Sequence, residues 1–154
     1  MRRGSALTST RCSTRARALV AERHPRGLVD TSVVIDLERI EPSSLPAELA
    51  VSAVTLAELA AGPHATDDSA ERARRQDRLQ RVEAMFEPMP VDAAVARSYG
   101  RIYAAVVAAG RKGRDHRALE LLIAATAVAA GLPLYTRNRV DFAGLEDLLE
   151  IVVA

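Results

Sequence analysis

The sequence is poor in several residue types, and each shortage excludes a class of protein. A single cysteine, Cys12, excludes a disulfide framework and a cysteine-based zinc site. The three histidines are scattered, which argues against a histidine-rich metal site. Aromatic residues make up 3% of the chain and tryptophan is absent, so little is available for stacking nucleic acid bases. No apolar run approaches the roughly 20 residues of a transmembrane helix, and we expect no membrane association.

What remains is the composition of one globular domain. The chain has 154 residues, of which 49% are hydrophobic and 27% are charged. Its net charge of +1 conceals a split. Residues 1–27 carry seven arginines and one glutamate, whereas residues 28–154 carry 14 basic and 19 acidic side chains. The body is therefore mildly acidic, and its bulk charge gives no argument for nucleic acid binding.

The first 27 residues differ from the rest of the chain. They are rich in Arg, Ser and Thr and show no apolar period. Three interpretations remain open: a disordered basic tail, an Arg-rich targeting peptide, or an artefact of start-codon assignment with the protein beginning near Leu28. A secretory signal is disfavoured because the apolar patch at 18–21 is too short. We place the domain at residues 28–154 and treat 1–27 as an extension.

The body alternates predicted strands and helices, which indicates an α/β fold, a three-layer α/β/α sandwich with a mostly parallel sheet. Thr55 followed by Glu58 reads as a capping box, and Asp92 reads as a helix N-cap. The predicted strands are 27–30, 49–54, 132–136 and 151–153, with a further short strand possible within 86–91. The predicted helices begin at 33, 55, 68, 92, 118 and 142, the last ending at 149.

Apolar spacing predicts which helix faces are buried. The helix at 118–130 is nearly all apolar and should be covered on most sides. In the helix at 92–109, the spacing predicts a buried side formed by Val95, Tyr99, Ile102, Tyr103 and Val106.

Four acidic residues fall where parallel sheets bind ligands, just past the carboxyl ends of the strands. Asp30 ends the first strand, Glu58 opens the helix after the second, and Asp141 follows the strand at 132–136. Glu120 lies near the start of the apolar helix, where a carboxylate is unfavourable unless it is paired or metal-bound. Ordinary interpretations remain open: Asp30 as an N-cap, Glu58 as a partner of the helix dipole, and Asp141 as a turn residue.

Converging carboxylates repel one another unless a divalent cation lies among them. Oxygen ligands without histidine or cysteine suit Mg²⁺ or Mn²⁺ rather than zinc. Such a site typically activates water and holds a phosphodiester for in-line hydrolysis.

Four segments carry a more specific pattern. They read LVDTSVVID at 28–36, SAVTLAEL at 52–59, ELLIAATA at 120–127 and LPLYTRN at 132–138, the last followed by Asp141 and Phe142. Together they resemble the PIN domain family, and within it the VapC toxins of bacterial toxin–antitoxin pairs. The resemblance covers residues 28–154.

The resemblance implies a Mg²⁺-dependent endoribonuclease of the bacterial cytoplasm, in which Mn²⁺ may substitute, neutralised by a VapB-type antitoxin and forming a homodimer. It makes Asp30 the central metal ligand and Glu58 a second acid, with Asp141 completing the cluster directly or through water. The supporting polar groups would be Thr31, Ser32, Thr136 and Asn138.

One position departs from the family pattern, because the acid before Leu-Leu-Ile-Ala-Ala is usually Asp and here is Glu120. Glutamate can ligate the same metals, but its carboxylate reaches about 1.5 Å further. A misplacement of about 1 Å can lower a rate on the order of 10²-fold. The alternative function is therefore a PIN-fold module that binds RNA or antitoxin with weak or no catalysis. A receiver-like phosphotransfer domain fits less well, because the only lysine, Lys112, lies in a loop.

Basic residues close to these acids are candidates for holding RNA phosphates. A solvated loop would explain the same residues without RNA. The candidates are Arg111, Lys112, Arg114, Arg117, Arg137 and Arg139.

Overall fold

Four parallel strands form the centre of the fold in the computed structural model, which describes residues 23–110 and 117–154. The sheet order is β2-β1-β3-β4, so the first strand lies in the interior. This confirms the predicted α/β architecture with a parallel sheet. The strands are β1 (Arg26–Val29), β2 (Glu48–Val51), β3 (Leu134–Thr136) and β4 (Ile151–Val153).

Five α-helices within the described residues cover the sheet. The longest, α3 and α4, begin after the N-caps Asp68 and Asp92, whose side chains accept backbone N–H bonds of the first turn. Both starts agree with the sequence prediction. The helices are α1 (Thr31–Asp36), α2 (Ala53–Ala61), α3 (Ser69–Met85), α4 (Ala93–Ala108) and α5 (Arg117–Ala130).

Alternating side chains of the strands divide the core in two. Leu28, Ala50 and Leu134 pack with α4 and α5, while their neighbours Val29, Val51 and Tyr135 pack with residues of α1, α2 and α3. Because successive strand residues point to opposite faces, each central strand contributes to both layers. The sheet is therefore buried on both sides, as its apolar strands predict.

The strand register determines which residues lie together at the carboxyl edge of the sheet. Val29 of β1 pairs with Val51 of β2 and with Tyr135 of β3, so these three residues lie at the same level of the sheet. The next residues, Asp30, Ser52 and Thr136, therefore lie side by side at the carboxyl edge. Ligands of open parallel sheets bind at this edge.

Two local predictions about the start of α2 are wrong. Ser52, not Thr55, is the N-cap, because the Ser52 hydroxyl accepts the Thr55 N–H at 3.0 Å. Strand β2 therefore ends at Val51 rather than at residue 54. Met89 forms a single parallel bridge with Ser52 where a further short strand was predicted.

Two other predictions fail in the α4 and C-terminal regions. The segment 142–149 is not an α-helix but a 3₁₀ turn at Arg139–Phe142 followed by turns. Gly144 adopts φ +91°, which no helix accommodates. The apolar side chains of the segment 142–149, such as Leu145, are still buried. Tyr103 is exposed, because the buried stripe of α4 follows Ile102 and Val106.

Residues ahead of the predicted domain boundary contact the body. The Arg23 guanidinium donates to the carbonyls of Leu45 and Pro46, at 2.6 and 3.0 Å. His24 lies 3.1 Å from Glu150. A boundary between 27 and 28 therefore divides strand β1, and residues 1–22 lie outside the described part of the chain.

No helix within residues 23–110 and 117–154 combines the length and apolarity required to cross a membrane.

Candidate metal and nuclease site

Asp30 is held rigidly between two strand ends. It is 6% exposed and accepts three hydrogen bonds. Its Oδ1 accepts the Ser32 hydroxyl at 2.6 Å and the Val33 N–H at 3.0 Å, and its Oδ2 accepts the Thr136 hydroxyl at 2.6 Å. The bond to Val33 is the N-cap of α1, so the ordinary interpretation of Asp30 is also correct. The other two bonds fix its carboxylate in one orientation.

The supporting polar groups form a continuous network. The Ser32 hydroxyl accepts the Arg137 N–H at 3.0 Å, and the Thr136 hydroxyl accepts the Asn138 N–H at 2.9 Å. The Asn138 amide donates to Asp141 Oδ2 at 2.7 Å. Asp141 is thus connected to Asp30 through the β3 end, and the loop after β3 is tied to the start of α1.

Glu58 reaches this edge from α2, where it is the sixth residue rather than part of the first turn. The helix dipole therefore does not account for it. The Thr31 hydroxyl donates a hydrogen bond to Glu58 Oε2. Burial raises the pKa of Glu58, and the charges of Glu120 and Asp30 raise it further, against the lowering effect of the Thr31 bond. Glu58 is therefore within electrostatic reach of both Asp30 and Glu120.

Glu120 lies in the first turn of α5 and is half-buried. Its Oε2 is fully buried and has no hydrogen-bond partner among the described residues. Buried carboxylate oxygens normally have a partner, because leaving one without a partner costs about 1–3 kcal/mol or more. A buried carboxylate oxygen without a partner, whose charge also raises the pKa of Glu58, suits a ligand of a cation.

None of the four acids pairs with a cation within the described part of the chain, although four other acidic residues there pair with arginines. The paired ones are Asp36, Glu38, Glu48 and Glu71. No three His, Cys, Asp or Glu side chains of residues 23–110 and 117–154 stand close enough to enclose a metal by themselves. The donor set nonetheless fits Mg²⁺, which is commonly bound by one or two carboxylates together with several waters.

Three of the predicted RNA-contacting residues lie in the described part of the chain, and their contacts differ. Arg117 donates to the Asp141 carbonyl at 3.0 Å and thereby joins α5 to the loop after β3. Arg137 forms an ion pair with Asp36 at 3.1 Å, while Arg139 is exposed. The remaining candidates, Arg111, Lys112 and Arg114, lie outside the described residues.

Sequence reasoning missed two connections at this site. It did not foresee that Thr31 bonds Glu58, because the partners are 27 residues apart. It also missed the pairing of Asp36 with Arg137, which fastens the end of α1 to the loop after β3. The DTS motif at 30–32 was the available signal for the first, since it places a hydroxyl beside the central carboxylate.

Comparisons with known proteins agree with the geometry. A model of the PIN domain family matches residues 27–147. Ribonuclease VapC5 of Mycobacterium tuberculosis is 35% identical over 130 residues, covering 82% of this chain and 93% of the relative. A crystal structure of VapBC-5 from Mycobacterium tuberculosis, a member of the VapBC family of toxin-antitoxin systems, has a TM-score of 0.72 at 34% identity and covers 84% and 97% of the two chains. FitAcB from Neisseria gonorrhoeae has a TM-score of 0.65 at 26% identity, covering 81% and 95%.

These matches define the class of protein. The chain belongs to the PIN domain family. Among its relatives are proteins named as VapC ribonucleases and structures of toxin–antitoxin complexes.

Proposed function

We propose that this protein is the toxin of a type II toxin–antitoxin pair and acts as a Mg²⁺-dependent endoribonuclease that hydrolyses RNA phosphodiester bonds. The observation that carries the proposal is the group of acids at the carboxyl edge of the sheet, none paired with a described cation, with Glu120 Oε2 buried and unsatisfied. Similarity to proteins named as VapC ribonucleases supports the choice of RNA as substrate.

In this proposal, each acid has a role set by its surroundings. Asp30, fixed by three hydrogen bonds, and Glu120, with its free oxygen, would hold the metal, which Mn²⁺ could replace. Asp141 would contribute directly or through water, and Glu58 would be the second acid, oriented by Thr31. A bound Mg²⁺ would supply Lewis-acid polarisation of a phosphoryl oxygen.

An apolar groove between α1 and α3 supports the antitoxin part of the proposal. It has a volume of about 220 Å³, and Ile35 and Met85 on its walls are 44% and 68% exposed. Grooves of this kind accept the apolar face of an amphipathic helix. A VapB-type antitoxin would dock there, as the similarity to VapBC complexes supports. The remaining apolar lining consists of Val34, Leu37, Val82 and Phe86.

We also expect a homodimer, because α4 and α5 leave Tyr103, Val107 and Leu119 exposed. Light scattering of the purified protein tests this expectation. A monomer at micromolar concentration would contradict it.

The alternative is a PIN-fold module that binds RNA or antitoxin without efficient catalysis. The observation favouring it is Glu120, whose longer side chain displaces its carboxylate from the position an aspartate would give. Replacing Glu120 by Asp discriminates the two functions. A gain in cleavage rate would show that the native site is attenuated.

The central test is cleavage of total cellular RNA by the full chain with Mg²⁺ or Mn²⁺. Discrete fragments, lost on addition of excess chelator, are the expected result. Cleavage that persists in chelator would refute the metal mechanism. Silence from the native protein together with cleavage by the Glu120→Asp variant would establish the binding module instead.

A further inference from the structure

One arginine of α3 is set apart from the other arginines of that helix. Arg78 is half-buried and has no hydrogen bond or ion pair among the described residues. Its neighbours on the helix are engaged: Arg74 and Arg75 bind Glu71, and Arg81 binds Glu38. A partly desolvated guanidinium without a partner is unfavourable, because its five donors normally find acceptors.

One of the cavities that Arg78 lines includes two residues of the acidic site. It has a volume of about 310 Å³, and Thr31 and Glu58 also line it. The other charged side chains there, Glu71 and Arg75, neutralise each other at 2.8 Å. Arg78 and Glu58 therefore remain as the two unpaired charges of the same cavity, without forming an ion pair.

We propose that Arg78 binds an RNA phosphate next to the cleaved one, in the cavity between α3 and the Thr31–Glu58 pair. This inference rests on the proposed ribonuclease function. A phosphate suits the place because arginine matches its geometry with two parallel donors, whereas an apolar group would leave the guanidinium unsatisfied. Arg78 also lines the groove assigned to the antitoxin, so a carboxylate of that partner is the competing ligand. The cavity shared with Thr31 and Glu58 favours the substrate.

The test uses the full chain with Asp30→Asn, which prevents cutting during the measurement, and a mixed-sequence single-stranded RNA. Binding is titrated at several salt concentrations for the parent, Arg78→Met and Arg78→Lys. Methionine keeps the apolar stem and removes the charge, and lysine restores a point charge, so folding is preserved in both. Arg97→Ala is the matched control, because Arg97 also lacks a described partner but lies on α4, across the sheet.

We expect Arg78→Met to weaken RNA binding about tenfold, as loss of one charge-assisted contact should. The slope of log K against log salt should fall in magnitude by about 0.7, the value for one phosphate of a single strand. Arg78→Lys should recover most of the affinity, and Arg97→Ala should change neither quantity. With Asp30 restored, Arg78→Met should raise KM for cleavage and leave kcat near that of the parent.

Four results would count against the inference. If Arg78→Met and Arg97→Ala weakened RNA binding equally, each arginine would contribute only through the overall charge of the protein. Unchanged RNA binding with weakened capture of the antitoxin would assign Arg78 to the protein partner. A protein that neither binds nor cuts RNA would refute the ribonuclease function itself, and a protein that cuts RNA with no effect of Arg78→Met would refute this inference alone.

Discussion

Glu58 and Glu71 line the same cavity, yet the structure treats them in opposite ways. Glu71 accepts three hydrogen bonds from Arg75 and Arg74, and their guanidinium groups lower its pKa. Among the described residues Glu58 has only the Thr31 hydroxyl as a hydrogen-bond partner, and burial and the charges of Glu120 and Asp30 raise its pKa. Glu71 is thus neutralised by arginines of its own helix, whereas Glu58, near the strand ends, has no arginine partner among the described residues.

The same contrast holds for the wider regions. The paired acids on α1 and α3 lie near the surface: Glu71 pairs within its own helix, and Asp36 pairs with Arg39 and Arg137. Each such pair contributes little to stability. The acids at the sheet edge are more buried and repel one another, which opposes folding. A bound cation would offset this repulsion. Replacing an acid at the sheet edge or a paired acid of a helix therefore tests whether the two groups differ as described.

The largest effect is expected at Asp30. Replacing it by Asn should keep the N-cap of α1 but remove the charge at the centre of the site. RNA cleavage should fall at least about 10²-fold, while the fold remains intact by circular dichroism. Asp30→Ala should lose cleavage too and unfold more easily, because three donors lose their acceptor. Cleavage by Asp30→Asn at the parental rate would remove Asp30 from the reaction.

The next effect concerns the unsatisfied oxygen of Glu120. In chelator, Glu120→Gln should stabilise the protein by about 1 kcal/mol, because it removes an unpaired buried charge. The midpoint of thermal unfolding should rise by about 2–4 °C for a domain of this size. Cleavage with Mg²⁺ should fall in the same variant. A lower midpoint in chelator would show that Glu120 is a structural acceptor rather than an unpaired metal ligand.

Glu58 gives a pH dependence of defined sign. Its pKa is raised in the native state, so its contribution to stability is present below pH 4.5 and is lost as the pH rises through the native pKa. In chelator, Glu58→Gln should therefore be more stable than the parent at neutral pH, and the difference should vanish in acid. Urea unfolding over a pH series measures this, and a variant less stable at neutral pH would contradict it.

The smallest effect is expected at Glu71, with the opposite sign. Its pKa is lowered, so its contribution is present above pH 4.5 and is lost as the pH falls through the native pKa. Glu71→Gln should be slightly less stable than the parent at neutral pH and equal to it in strong acid. The same urea series serves for both variants. If the free energies of unfolding of Glu58→Gln and Glu71→Gln changed with pH in the same way, the two glutamates would not differ as described.

The elements most accurately predicted from the sequence have strong local signals. Asp68 and Asp92 are the N-caps of α3 and α4, and β4 coincides with an apolar run of three residues. The helix predicted at 142–149 failed because Phe142, Leu145 and Leu149 have helical spacing but are buried equally well by turns. Local periodicity reports which residues are buried and cannot by itself choose between two ways of burying them.

For the site, the sequence indicated which acids lie at strand ends but not what each of them contacts. Arg78 looks the same as Arg74 or Arg81 in the sequence, and only the surrounding helices leave it without a partner. Likewise, the Thr136–Asp30 bond joins residues 106 positions apart. Such contacts depend on strand register, which single-sequence patterns do not encode.

The sequence by itself determined the alternation of strands and helices and the presence of an acid or hydroxyl after each central strand, because both follow from local spacing. The tertiary structure decided the order β2-β1-β3-β4, which brings Asp30 between Ser52 and Thr136. It also decided which charges are neutralised and which are left unpaired. The physical reason is that a hydrogen bond or ion pair between distant segments exists only once the packed sheet and helices fix both partners within about 3 Å of each other.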